Sequence, residues 1–161
     1  AAMLLYIWIR FEWQFSVAAI AAIVHDVIIT IGIFSLLSYE VNLSIVAAVL
    51  TIVGYSMNDT VVIFDRIREN LKKYSKILIG DISNISTNET LSRTLITSVT
   101  TLLALLSIYI FGGEILKGFS FAMIIGVIVG TYSSIFVATP ILNYTKVSQK
   151  TVLKDNVENN N

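Results

Sequence analysis

Four ionisable side chains lie within long apolar stretches of this sequence: His25, Asp26, Asp59 and Arg93. A charged group at the centre of a membrane span costs roughly 2.5 to 3.5 kcal/mol, so such groups face the inside of a helix bundle and mark ion or substrate pathways. Carboxyl and imidazole groups can also take up and release protons. The first chemistry to consider is therefore ion transfer within a membrane.

Asp59 and Arg93 are the two strongest candidates for ion transfer. Asp59 lies about five residues from the end of one apolar stretch, roughly 8 Å deep at about 1.5 Å per residue, and Arg93 lies near the start of the next. Asn58 is beside Asp59, while Thr97 and Thr101 continue the Arg93 face deeper into the span. We expect Arg93 to reach Asp59. The pair either takes part in ion transfer, which we favour because intramembrane charges mark function, or is a static ion pair that joins two helices.

His25 and Asp26 fall near the middle of another span. Neighbouring residues on a helix point about 100° apart, so the two side chains cannot face one partner equally. They either form part of a relay or are structural, with His25 bonded to a nearby backbone group and Asp26 held by Thr or Ser hydroxyls. The chain has one histidine and no cysteine, so we predict no metal site, and we identify no catalytic or cofactor-binding residues.

The elements that position these groups follow from hydropathy. The chain is 55% hydrophobic and 14% charged, and its apolar residues form blocks long enough to cross a bilayer core of roughly 30 Å. The blocks lack the alternation of barrel strands, so they predict an all-α membrane protein, a polytopic transmembrane helix bundle with four full spans plus the end of one. The predicted full spans are residues 16–37, 43–64, 87–111 and 118–143, within a transmembrane domain of residues 12–145. Residues 1–11 are the predicted end of a truncated span, and residues 146–161 a disordered cytoplasmic tail.

Basic residues set the predicted orientation. Segment 65–86 and the tail after the fourth span carry most of the Lys and Arg residues, whereas the other two connections contain only Lys117. The positive-inside rule therefore places segment 65–86 and the tail in the cytoplasm. Residues 65–76 have the pattern of a basic surface helix, the following residues are predicted to be irregular, and Ser86 and Glu89 have the spacing of a capping box. Membrane lipid is an expected partner and nucleic acid is not, because the net charge is zero.

Small residues recur at every fourth position of the fourth span. Such a ridge allows another helix backbone to approach closely, which is how helices gain contacts in lipid. We expect the ridge to pack within the same chain rather than against another subunit. Its members are Gly118, Ala122, Gly126, Gly130, Ser134 and Ala138.

Several blocks of the sequence resemble the successive signatures of the SecF-type protein-export membrane proteins of the SecD/SecF family, within the resistance-nodulation-division (RND) superfamily. These blocks are VHDVIITIG (24–32), VLTIVGYSMNDTVVIFDRIREN (49–70), NETLSRTLITS (88–98), IFGG (110–113) and GFSFAMIIGVIVGTYSSIFVATPIL (118–142). The resemblance implies that the helices here are the second to sixth spans, preceded by a first span and a periplasmic domain. It also implies that the ion-coupling aspartate of the GYS-x-NDT block is Asp59 and the arginine of the LSRT block is Arg93.

The function implied by this resemblance is to couple proton motive force to the export of preproteins across the bacterial inner membrane. The implied partners are SecD, the SecY-SecE-SecG channel and preproteins that contact the periplasmic domain; the implied protein is not an enzyme and needs no cofactor. Two alternatives remain. One is a drug or lipid exporter of the RND superfamily, against which the NDTVVIFDRIREN block argues. The other is a structural scaffold for the channel, in which Asp59 and Arg93 only join helices.

Overall fold

The computed structural model describes residues 13–38, 42–74 and 77–145, and the regular structure of these residues is helical. Four helices are long and apolar enough to cross a membrane, which confirms the prediction of an all-α membrane protein with four full spans. The predicted end of a span at residues 1–11 and the predicted tail at residues 146–161 lie outside the described residues. The elements are α1 (Trp13–Leu36), α2 (Leu43–Lys73), α3 (Ile79–Phe111), α4 (Gly113–Ser133), a π-helical turn (Ser134–Ala138) and α5 (Thr139–Tyr144).

Helix α4 is the centre of the bundle, because it packs against α1, α2 and α3. Its most extensive contact is with α2, where the small-residue ridge meets the partner helix. A β-carbon added at Gly126 would overlap Ile52, and one added at Gly130 would lie 3.0 Å from the β-carbon of Ser56. The ridge therefore packs within the chain over this part of its length. Gly118 differs, since a β-carbon there would meet no neighbouring atom within 4 Å.

Helix α2 runs without interruption from the predicted second span through the basic residues that follow it. It begins after Asn42, whose Oδ1 accepts a hydrogen bond from the backbone N–H of Ile45 at 3.1 Å. Lys72 and Lys73 lie in its last turn, where cations interact favourably with the helix dipole. The predicted surface helix is thus the end of the spanning helix.

Helix α3 begins at Ile79, eight residues or about two turns before the predicted start of this span at residue 87. The predicted capping box is wrong: Ser86 lies inside the helix, and its hydroxyl donates to the carbonyl of Ile82 at 2.7 Å. Glu89 instead accepts hydrogen bonds from Arg66 and Asn70 of α2. The serines that made this segment look irregular are satisfied by backbone carbonyls one turn earlier and by side chains of other helices, so they do not break the helix.

A π-helical turn separates α4 from α5. Pro140 has no N–H to donate to the carbonyl four residues earlier, and a wider turn is one way in which a helix accommodates this loss. The hydroxyl of Thr139 donates to the carbonyl of Ser134 at 3.1 Å within the turn. Ser133 and Ser134, at the start of the turn, are both fully buried and contact different helices. The turn therefore begins where α4 meets both α1 and α2.

Two apolar clusters fill the bundle, one toward each end. The first lies around Phe15, Phe64, Ile67 and Leu142, and the second around Phe34, Ile52, Leu105 and Val127. Buried polar side chains of α1, α2, α4 and the π-helical turn lie between them. These polar side chains are Asp26, Ser56, Thr60, Ser133 and Ser134.

Candidate functional site

Asp59 is buried in α2, with 4% of the residue exposed. Its Oδ2 atom is buried and has no hydrogen-bond partner. Among the described residues, no Lys or Arg nitrogen lies within the 4.0 Å of a salt bridge to Asp59. A buried carboxyl oxygen without a partner is rare, because burial removes its hydrogen bonds to water. Asp59 is therefore the residue of α2 whose environment most needs a functional explanation.

Arg93 does not pair directly with Asp59 within the described part of the chain, contrary to our expectation. Arg93 is exposed, although it is close enough for its charge to act on Asp59. The reason is the rotation of α3, which turns Thr90, Thr94 and Ser98 toward the bundle. Arg93 precedes Thr94 and therefore points about 100° away from this buried face.

The other predicted ion-coupling residues also lie away from the interior. Asn58 is exposed, and Thr97 and Thr101 are half-buried. The Thr97 hydroxyl donates to the carbonyl of Arg93 at 3.0 Å, and the Thr101 hydroxyl donates to that of Thr97 at 2.8 Å. Of the five predicted residues, the structure buries Asp59 and leaves the other four at the surface or the edge of the chain.

Thr94 is a buried polar residue that the sequence reasoning missed. Its hydroxyl is buried without a hydrogen-bond partner, whereas the other buried threonines donate to backbone carbonyls. Its position next to Arg93 was visible in the sequence, but the rotation of α3 that buries it was not.

Asp26 is the centre of a second polar group, which joins three helices. It is 1% exposed, and its Oδ2 accepts hydrogen bonds from the hydroxyls of Ser56 in α2 at 2.5 Å and Ser133 in α4 at 2.8 Å. Its Oδ1 lies 3.0 Å from His25 Nδ1, and the His25 side chain is 31% exposed. This arrangement brings together His25 and Asp26, which the sequence identified, with two serines that it did not link to them.

The polar group continues to Thr60, one turn further along α2, and to Ser134, the first residue of the π-helical turn. The hydroxyls of Thr60 and Ser134 lie 3.0 Å apart, and Ser134 also donates to the carbonyl of Gly130 at 2.8 Å. Because Gly130 has no side chain, Ser56 can approach the α4 backbone and reach Asp26. The signal that was available in the sequence is the small-residue ridge, since such a ridge brings hydroxyls on facing helices within bonding distance.

A third network joins the basic end of α2 to the first three turns of α3. Arg66 donates from Nε to Glu89 at 2.7 Å and from Nη1 to Glu69 at 2.6 Å. Asn70, which is buried, donates to Ser86 at 2.9 Å and to Glu89 at 2.7 Å. These contacts fix the two helix ends to each other. Within the described ranges, no three His, Cys, Asp or Glu residues come together in a group that could hold a metal ion.

Comparisons with known proteins give a consistent result. Residues 1–148 match the family described as protein export membrane protein SecD/SecF, C-terminal. The chain is 52% identical over 155 residues to a protein translocase subunit SecF of Cereibacter sphaeroides, covering 96% of this chain and 48% of that protein. It is 58% identical over 142 residues to the SecF subunit of Rickettsia bellii, covering 88% and 47%. The chain thus spans about half the length of these curated relatives.

Two solved structures have the same fold. A crystal structure of SecDF in a super-membrane-facing form has a TM-score of 0.84 and 44% identity, covering 96% of this chain and 21% of the SecDF chain. A crystal structure of SecDF from Thermus thermophilus, described as a translocon-associated membrane protein, has a TM-score of 0.86 and 48% identity, covering 89% and 20%. The bundle described above therefore corresponds to about one fifth of a SecDF chain.

Proposed function

The chain belongs to the SecD/SecF family of protein-export membrane proteins, and we propose that it is the membrane domain of a SecF subunit that couples ion movement to preprotein export. In this role the chain is a transport subunit and not an enzyme. The ion that we assign to it is the proton, and the residue that binds it is Asp59.

The burial of Asp59 is the observation that carries this proposal. Asp59 is 4% exposed, and its Oδ2 has no hydrogen-bond partner. In an apolar environment a carboxylate without a compensating partner is costly, whereas the protonated acid is neutral. A proton arriving at Asp59 therefore relieves a buried charge, and its departure restores that charge. This difference between the two states is what a coupling group needs in order to drive a conformational change.

Arg93 supplies the opposing charge. Among the described residues it makes no direct ion pair with Asp59, which leaves the carboxyl oxygens open to a proton. A direct bidentate pair would hold Asp59 in one state. The separation supports alternation between protonated and ionised Asp59, and it argues against Asp59 and Arg93 acting only as a static link between α2 and α3.

The proposed partners follow from the likeness to part of the SecDF chain and from the exposed apolar surface of α3. Helix α3 has a large exposed apolar surface that includes Ile96, Val99, Leu103 and Ile110. In the bilayer this surface is available to lipid and to the SecD membrane helices, and Arg93 of the same helix is also exposed. We assign SecD as the direct partner, the SecY-SecE-SecG channel and preproteins as the wider assembly, and the bacterial inner membrane as the location.

The proposal is tested in the full-length protein with SecD, by measuring preprotein export with and without an ion gradient. Asp59→Asn, which is similar in size and cannot ionise, is expected to abolish the gradient-dependent part of export. The matched control is Glu114→Gln, because Glu114 is exposed in the first turn of α4. Gradient-dependent export that survives Asp59→Asn would refute the proposal.

A further inference from the structure

The His25–Asp26 pair forms a titratable group that the function of Asp59 does not use. Asp26 lies near the middle of α1, thirteen residues after Trp13 and ten before Leu36. Its carboxyl group is buried, whereas 31% of the His25 side chain is exposed. The pair therefore connects the outside of this chain with the polar layer between its two apolar clusters.

The contacts of Asp26 are those of an acceptor. Ser56 and Ser133 donate to Oδ2 at 2.5 and 2.8 Å, and His25 Nδ1 lies 3.0 Å from Oδ1. A hydroxyl bond to the charged form of a carboxyl group offsets part of the cost of its burial. No Lys or Arg among the described residues lies within 4.0 Å of Asp26, so His25 is the group in contact with it that can carry a positive charge.

The buried environment of Asp26 favours one bound proton on the His25–Asp26 pair. Without a shared proton the pair has a net charge of about −1 in the middle of the bundle, which is costly in low dielectric. With one proton it is neutral overall, either as neutral histidine and carboxylic acid or as imidazolium and carboxylate. Since the two groups interact directly, the proton belongs to the pair and not to one residue.

Few other titratable groups face the pair. On α2, Tyr55 comes one residue before Ser56 and Asp59 three residues after it. The Tyr55 hydroxyl is buried without a hydrogen-bond partner. In α4 the charged residues are Glu114 and Lys117, which lie in its first turns and bond to each other. The remaining titratable side chains on the described elements that pack against α1 are Tyr132 and Tyr144, both exposed, and the charged residues from Asp65 to Lys73 beyond Asp59 on α2.

We propose that His25 and Asp26 are a second proton-binding site of this chain, which takes up one proton through the partly exposed His25 ring, from water that reaches this face of α1 in the assembled protein, and shares it with Asp26. In the transfer within the pair, the N–H bond at His25 Nδ1 breaks as an O–H bond forms at Asp26 Oδ1. The proton leaves by the reverse step and returns to water. Proton binding at the pair stands by itself, whereas its use in export rests on the proposed function of Asp59.

Protonation of the pair changes the contacts between three helices. Ser56 and Ser133 donate to a carboxylate through charge-assisted bonds, which are roughly twice as strong as bonds to a neutral acceptor. Moving the proton onto Asp26 weakens the two bonds that join α1 to α2 and α4. Ser56 lies one turn from Asp59 on α2, so the two proton sites act on the same segment of that helix.

The test uses the full-length protein with SecD and measures infrared difference spectra between pH values, in which the carbonyl stretch of a carboxylic acid is visible. The signal of Asp26 is the one that disappears in Asp26→Asn, a variant that keeps an oxygen acceptor for both serines. We expect this signal to change with pH in the parent, and its midpoint to differ in His25→Gln, because the proton of two directly interacting groups belongs to the pair.

An Asp26 signal that does not change with pH, or one with the same midpoint in the parent and in His25→Gln, would overturn the proposal. If Asp26→Asn does not fold, isotopic labelling identifies the aspartate signals, and the one whose midpoint differs between the parent and His25→Gln is followed. His25→Gln is expected to fold, because the His25 ring is partly exposed. Asp59→Asn separates the two proposals: the Asp26 signal is expected to remain in it. Normal export by Asp59→Asn, together with an Asp26 signal that still depends on His25, would refute the proposed function but not the proposed proton site at His25 and Asp26.

Discussion

Gly126 of α4 lies directly against Ile52 of α2, and a β-carbon at position 126 would overlap the Ile52 side chain. Both residues are in the interior, and α2 and α4 form the most extensive helix pair of the chain. The close approach follows from the absence of a side chain, since packing rather than hydrophobic exclusion holds helices together in lipid.

Gly126→Ala is therefore expected to destabilise the bundle by about 1 to 3 kcal/mol, which is typical of overpacking in a well-packed core. The matched control is Gly118→Ala in the same helix, where the added methyl group meets no atom within 4 Å. The control is expected to be neutral or stabilising by up to about 1 kcal/mol, because alanine favours a helix. The measurement is the midpoint of detergent-induced unfolding of each variant. Equal midpoints for the two variants would show that the ridge is not a close interface.

Asn70→Ala is expected to loosen the contact between α2 and α3. Asn70 is buried and donates to Ser86 and Glu89, so its removal leaves the buried Ser86 oxygen without its donor, at a cost of about 1 to 3 kcal/mol. Asn84→Ala is the matched control, because Asn84 is exposed in α3. Hydrogen exchange of the first turns of α3 is expected to rise in Asn70→Ala and to stay unchanged in Asn84→Ala. An unchanged exchange rate in both variants would contradict this account of the network.

The number and type of the helices could be predicted from the sequence, because each span is a long apolar block and lipid permits few other structures. The start of α3 could not be predicted in the same way. Ser83 and Ser86 resemble loop residues when they are considered locally, but Asn143 and Asn70 bond to them across the bundle. Tertiary contacts therefore decide the helix boundary where the local composition favours a turn.

The candidate site was predictable in part for a related reason. The cost of burying Asp59, Asp26 and His25 is visible in the sequence, since it depends only on residue type and hydropathy. Which side chains meet them depends on the rotation of each helix about its axis. The hydropathy pattern did not fix this rotation, because the spans are apolar over most of their circumference. For this reason Ser56 and Ser133 were not predicted to converge on Asp26, and Arg93 was wrongly predicted to contact Asp59.

The orientation of the bundle remains a prediction of the positive-inside rule and can be measured directly. Single cysteines at Glu114 and Lys73, in a cysteine-free background, are expected to react with a membrane-impermeant thiol reagent from opposite sides. Glu114 is at the start of α4 and Lys73 at the end of α2, and both are exposed. We expect labelling of Glu114→Cys from outside and of Lys73→Cys only after the membrane is opened. The reverse pattern would contradict the predicted topology.

The central claim is that Asp59 acts by gaining and losing a proton, and the double variant Asp59→Asn/Arg93→Gln tests it most directly. Asp59 and Arg93 make no direct ion pair within the described part of the chain. We therefore expect Asp59→Asn to keep its stability within about 1 kcal/mol of the parent. Breaking a buried ion pair would instead cost about 3 to 5 kcal/mol.

The measurement is gradient-dependent preprotein export by the parent, both single variants and the double variant, each in the full-length protein with SecD. If proton transfer at Asp59 is required, the double variant stays inactive, because no titratable group is left at that position. If Asp59 and Arg93 only joined helices, removing both charges would relieve the unpaired charge that Asp59→Asn leaves. Restored export in the double variant would therefore contradict the proposed role of Asp59.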